Sequence, residues 1–201
     1  MELVLVLSIV GILVALVPVA VFQGVRAFLF IPKSQTASHA AMEILQVAIE
    51  GGYAEGPQQT IRGLRFAARG TAPIAVWFAT ATSVAYMTST NERVLLRLDA
   101  GRIKRSLLPN LTCPPAIPAQ EDVVPYYAAG TVSIQTPTPP LFRYYNVSGA
   151  SIAPTANGCR TGADPIIRRI DMALTAQTGN GSFDQSDASV AVQSSVAIRF
   201  P

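Results

Sequence analysis

The stretch Met1–Phe22, MELVLVLSIVGILVALVPVAVF, decides how the rest of this chain is read. Between Leu3 and Phe22 no residue carries a charge, and only Ser8, Gly11 and Pro18 interrupt the apolar run. A helix of about 20 residues spans roughly 30 Å, the thickness of a bilayer's hydrocarbon core. The run therefore predicts a membrane-spanning helix. A cleaved secretory signal is the competing reading, but it needs a basic flank, a shorter apolar stretch and a small-residue cleavage site. Here only Met1 and Glu2 stand ahead of the run, and a carboxylate at the mouth of a membrane span is energetically costly.

The rest of the chain reads differently. The whole chain has 201 residues, enough for one domain with a real core. Hydrophobic residues make up 50% of it, concentrated in the N-terminal part. A net charge of +3 is too small to imply a nucleic-acid partner, and the arginines are scattered, with Arg168 and Arg169 the one adjacent pair. The positive-inside rule alone would place the C-terminal part in the cytoplasm, since Arg26 and Lys33 follow the span. Cys113 and Cys159 argue the other way: an even pair in an exported domain suggests a disulfide, with two separate buried thiols as the alternative. The two signals agree if a short basic leader precedes Met1.

Glu2 followed by LVLVLSIVGILVALVP resembles the N-terminal segment of type IV pilins and type II secretion pseudopilins. In that family a prepilin peptidase removes a basic leader ending in glycine, and the new N-terminus is methylated. A glutamate follows within a few residues, then an apolar helix bearing a glycine and later a proline. Glu2, Gly11 and Pro18 take those positions, with Pro18 about one residue early. The resemblance implies that Met1 is internal and that filaments form by bundling of the apolar helices. Glu2 would then neutralise the N-terminal amine of a neighbouring subunit. In a low-dielectric bundle such a pair is worth far more than in water. An unpaired charge there is heavily penalised, so the glutamate would set register. Gly11 would permit close helix approach and Pro18 would loosen or kink the helix. The simpler alternative leaves Glu2 in the headgroup layer.

Beyond the span, Ala37, Ala41, Ile44, Leu45, Ala48 and Ile49 keep the 3/4 spacing of an amphipathic helix. Pro32 is expected to bend or interrupt it near Ile31, and Gly51-Gly52 to end it. Residues 1–31 are thus expected as the apolar transmembrane and assembly helix, and 32–52 as its amphipathic continuation. Residues 53–201 are expected as a globular β-rich head. In the head, TAPIAVWFATATSVAYMTST is strand-rich, and RVLLRLDAGRIKRSLL predicts two strands about Asp99-Ala100-Gly101. PNLTCPPAIPAQEDVVP reads as a proline-laden loop. GTVSIQ, LFRYYNV, PIIRRIDMALTAQ and SVAVQSSVAIRF read as further strands. One long helix followed only by strands predicts an α+β fold with an antiparallel sheet, the plan of a pilin-like head. The hairpin and the C-terminal strand resemble those of the larger minor pilins and J-type pseudopilins.

Catalytic signals are missing from the sequence: there is no G-x-S-x-G, P-loop, H-E-x-x-H or C-x-x-C. His39, the one histidine, has no positioned partner and reads as a helix-surface residue. Asp184 and Asp187 could belong to a calcium loop, but their spacing matches no EF-hand and the loop is short of carboxylates, so the solvated turn is the stronger reading. Asn110 and Asn146 open glycosylation sequons of low specificity. The expectation is therefore no enzyme, metal or cofactor, but a structural subunit of a type IV pilus or type II secretion pseudopilus. Its expected partners are other pilin-like subunits, the inner membrane and the prepilin peptidase. It would cross the bacterial inner membrane once and export its head to the periplasm or cell surface. The alternative is a membrane-tethered exported binding domain without a filament role.

Overall fold

The computed structural model describes residues 2–53, 60–68, 74–124, 132–135, 140–178 and 189–198. The chain begins with one helix, α1 (Glu2–Glu50), followed by strands alone apart from a 3-10 turn at Leu64–Phe66. The fold is α+β, a helix and then antiparallel sheets. The expected interruption at Pro32 does not occur: α1 runs unbroken through Pro18 and Pro32. Just past Pro32, Ser34 Oγ donates to the Ile31 carbonyl and Thr36 Oγ1 to the Pro32 carbonyl, each at 2.9 Å. Hydroxyls bonded back to the preceding turn satisfy backbone acceptors beside a proline, which lacks its own N–H.

The inner half of α1 is the part that packs. Ala37, Ala40, Ala41, Ile44, Leu45 and Ala48 are buried, and Ile49 is half-buried against the same core. Four of the six buried residues are alanines, so the helix can lie close to the sheet. The helix ends where Gly51 and Gly52 take φ of 83° and 117°, a backbone glycine enters without penalty. The Arg105 guanidinium donates to the Gly52 carbonyl and ties this end to the head.

A short hairpin follows, β1 (Gly51–Tyr53) with β2 (Thr60–Arg62). A Cβ at Gly63 would overlap the Gly51 nitrogen and the Ile49 carbonyl, so only glycine lets the chain pass the helix end there. The first sheet is an antiparallel meander of β3 (Val76–Ala79), β4 (Ser83–Met87), β5 (Arg93–Asp99), β6 (Arg102–Leu107) and β7 (Asp122–Val123). Ala100 and Gly101 join β5 to β6 with φ of 48° and 73°. Positive φ at both central residues is the type I′ geometry that suits strand twist.

The second sheet is built around β11 (Arg169–Thr178). Along one side β11 pairs over nearly its whole length with β12 (Ser189–Ala197). On its other side two short strands lie end to end. They are β9 (Phe142–Tyr145), opposite Arg169 to Met172, and β8 (Val132–Gln135), opposite Thr175 to Thr178. β10 (Ser151–Ile152) pairs with β9.

Both sheets and α1 share one core, in which Val84, Tyr86, Val94, Leu96 and Ile103 meet Phe142, Tyr144, Ile170, Met172 and Leu174. Two tyrosines stitch it. Tyr86 donates to the Arg62 carbonyl at 2.9 Å, and Tyr144 to the Thr80 carbonyl at 2.7 Å. Burial holds both phenol pKa values well above the usual range, so both act as neutral donors.

The other face of the first sheet is also covered. Trp77, Ala85, Met87, Leu95 and Leu108 form a second cluster there. Trp77 Nε1 donates to the Thr112 carbonyl at 3.3 Å and Arg93 to the Pro109 carbonyl at 2.6 Å, which holds the proline-rich segment in place. Cys113 and Cys159 are disulfide-bonded, with Cα atoms 5.6 Å apart and a sequence separation of 46. Closing a loop of that length constrains the unfolded chain by roughly 4 kcal/mol on the entropy model. This doubly covered sheet explains the imperfect alternation of Val94, Leu95 and Leu96: all three are buried, on alternate faces.

Candidate functional site

The described apolar residues in the outer half of α1 are exposed. Val14, Leu16, Phe22 and Phe28 are 66%, 59%, 57% and 76% exposed. Val17, Val19, Val21, Val25, Phe30 and Ile31 are exposed as well. Among the described residues of α1, Lys33, Ser34 and Thr36 are half-buried and full burial begins at Ala37. α1 is long and apolar enough to cross a membrane, and its apolar window is wholly unburied. A contiguous exposed apolar surface of this kind marks a membrane or protein contact.

The three residues singled out for assembly all lie in this half. Glu2 is the first helical residue, and Gly11 and Pro18 are internal to the helix. Gly11 and Pro18, about two turns apart, share one face, whereas Glu2 lies about two and a half turns before Gly11, on the opposite side. The sequence reading missed two neighbours of this face. Ser8, Gly11, Ala15 and Pro18 follow one another at spacings of three, four and three, and the other residues between Leu3 and Val19 are all leucine, valine or isoleucine. By helical spacing these four positions fall on one face of α1, the pattern by which membrane helices approach closely. The signal was legible once Gly11 was read with its neighbours rather than alone.

The head carries a self-neutralised charge cluster. Arg97 binds Glu121 through two nitrogens, one at 2.9 Å, and reaches Asp99 at 3.2 Å. Lys104 Nζ lies 2.6 Å from Asp99. The Lys104 hydrogen bond, with Arg97 second, holds the Asp99 carboxyl below its usual pKa, and Glu121 raises that of Arg97. Two cations and two anions satisfy one another here, with no nucleophile held beside a base. A second group, Arg169, stacks over the Tyr145 ring at 4.0 Å and pairs with Asp171, which also accepts from Ser195 Oγ at 2.8 Å. Both groups tie neighbouring strands together.

Among the described residues no three His, Cys, Asp or Glu side chains converge on a metal-sized site. His39 is exposed on α1. Asp184 and Asp187 lie outside the described residues. Asn146 Oδ1 accepts from Ser148 N, Ser148 Oγ and Ala150 N, so that sequon asparagine is the hub of a turn. A long apolar N-terminal helix followed by an antiparallel sheet is compatible with pilin architecture. Compared with family models, curated proteins and solved structures, the chain matches none.

Proposed function

We propose that this protein is a structural subunit of the type IV pilin and type II secretion pseudopilin kind, which assembles through the outer half of α1. One observation carries the reading. Among the described residues, the large apolar side chains of the outer half are exposed while the inner half of the same helix is built into the head's core, so the head is fixed to a helix whose apolar surface calls for other helices or lipid. Glu2 at the start of that outer half adds the register device, because a carboxylate among apolar helices requires a cationic partner. The Ser8–Pro18 stripe supplies a face for close approach. In this reading α1 waits in the inner membrane with the head exported, and the Cys113–Cys159 bond supports an oxidising compartment. The head is non-enzymatic and takes no cofactor.

The test is assembly. Glu2→Ala is expected to stay in the membrane fraction yet to fall by at least about tenfold in sheared filaments, since breaking a buried ion pair costs several kcal/mol. Glu2→Gln keeps the size and loses the charge, and is expected to be nearly as defective. Normal incorporation of both variants would overturn the reading and favour a simple tethered domain.

A further inference from the structure

The two sheets end in edges that are protected to very different degrees. β3 carries a register shift between Val76 and Phe78, and its outer groups bond to the Gly158–Arg160 segment: Ala79 N donates to Gly158 O at 2.8 Å and Arg160 N to Trp77 O at 2.9 Å. β7 and β10 are two residues each. β12 is nine residues long, regular in register throughout, and contains no charge and no proline. Natural edges are normally blunted by the very devices it lacks.

The phase of the ladder shows which groups it offers. Ile198 N donates to Arg168 O at 2.8 Å, which makes 168 and 198 a hydrogen-bonded pair. In an antiparallel ladder bonded and non-bonded pairs alternate. Val190, Val192, Ser194 and Val196 therefore turn their backbone groups toward β11. Ser189, Ala191, Gln193, Ser195 and Ala197 turn theirs outward, where they meet no backbone partner among the described residues. Side chains alternate in step. The outward-bonding set has exposed side chains, while Val190 and Val192 are half-buried beside the core that α1 covers.

We infer that the outer edge of β12 receives an extended segment of a second protein, added as a further antiparallel strand. The edge defines the chemistry of that segment. It is uncharged, because a charged strand would be desolvated against an edge with no counter-charge. It carries branched aliphatic side chains at alternate positions, to continue the layer of Val190, Val192 and Val196 over the rim of the core. Its other face carries small polar residues to match Ala191, Gln193 and Ser195. Antiparallel self-pairing is a poor solution for an anchored chain. The two-fold that joins β12 to its own copy lies across the sheet, and α1 packs on that sheet, so the two helices would run in opposite directions and could not enter one membrane. The inference uses the membrane reading for this exclusion alone.

The experiment uses the full chain in detergent micelles, with residue-resolved amide exchange. The probe is a capped nine-residue peptide alternating valine with serine and threonine; its control twin carries aspartate at alternate polar positions. Expected is a slowing of about tenfold or more at the amides of Ala191, Gln193 and Ser195 with the neutral peptide and not with its twin, while Val190 and Val192 stay protected throughout. Gln193→Pro removes an outward amide without touching the β11 ladder. It should abolish the effect while leaving Val190 and Val192 protected. Three results overturn the inference: no slowing by the neutral peptide, slowing by the charged twin as well, or outward amides already protected without peptide, whether by the chain itself or by concentration-dependent pairing of copies. Because no filament is involved, failure here leaves the Glu2 test standing, and failure of that test leaves this one readable.

Discussion

The two halves of α1 share one continuous backbone, yet the described apolar residues of the outer half are exposed while one face of the inner half is core. The difference is in how bulk is distributed around the helix. The outer half carries leucine, valine, isoleucine or phenylalanine on nearly every side, and between Leu3 and Val19 its small residues fall at positions of one stripe. No single sheet could cover such a surface. The inner half alternates, with Ala37, Ala41, Ile44 and Ala48 on one side and His39, Glu43, Gln46 and Glu50 on others. It therefore has one face to bury and one to wet. Hydrophobicity alone does not decide whether a helix enters a core; its angular distribution does.

Removing one half is the strongest way to break the comparison. A chain beginning at Ser34 retains every helix residue described as buried and is expected to fold without detergent and to sediment as a monomer, whereas the full chain is expected to require detergent. Oligomers of the shortened chain at moderate concentration would place the self-association in the head. A single substitution should divide the halves next. Ile44→Ala leaves a cavity at a fully buried position and is expected to cost the head about 2–4 kcal/mol in denaturant unfolding. Leu16→Ala, at an exposed position, should leave the head's midpoint unchanged. Equal losses would mean that the outer half is packed after all.

Much of this was legible in the sequence. The 3/4 spacing marked the buried face of α1, Asp99-Ala100-Gly101 marked the hairpin, and the paired cysteines marked the disulfide. What was not legible depended on distant partners. β7 and β10 are too short to carry a pattern, and the sharing of one side of β11 between β8 and β9 leaves no local trace. The burial of Leu95 on the far face depends on a covering segment held by Thr112 and Pro109. At Pro32 the local rule predicted a bend or interruption, and the helix runs through it without interruption. Within the candidate site, Glu2 stood out because its charge is anomalous. Ser8 and Ala15 did not, because each alone is ordinary.

Smaller tests bear on the head that seats the inner half. Ala100 is a non-glycine residue at φ of 48°. Ala100→Asn places there a residue that tolerates the left-handed region and is expected to stabilise the head by about 0.5–1 kcal/mol, read as a higher denaturant midpoint with an unchanged slope. A loss would mean that the turn is not under strain. The smallest effect is electrostatic. The folded-state pKa of Asp99 is depressed by Lys104 and Arg97, so its contribution is present above the unfolded carboxylate value of about 3.9 and is lost as pH falls through the folded value. Wild type and Asp99→Asn should therefore differ slightly in stability near neutral pH and converge below about pH 4. A gap that persists in acid would assign the effect to packing.

The unbroken course of α1 also has a mechanical meaning. Its 49 residues make a rod of roughly 70 Å with no loop between the outer end and the end clamped by Arg105. A pull on the outer end along the axis loads the alanine-lined seat in shear, so many close contacts resist together. A pull on the free end of β12 would instead open its ladder one rung at a time. The molecule is thus stiff along its helix and weak at its last strand, and tension applied through the outer half reaches the head without first stretching a linker.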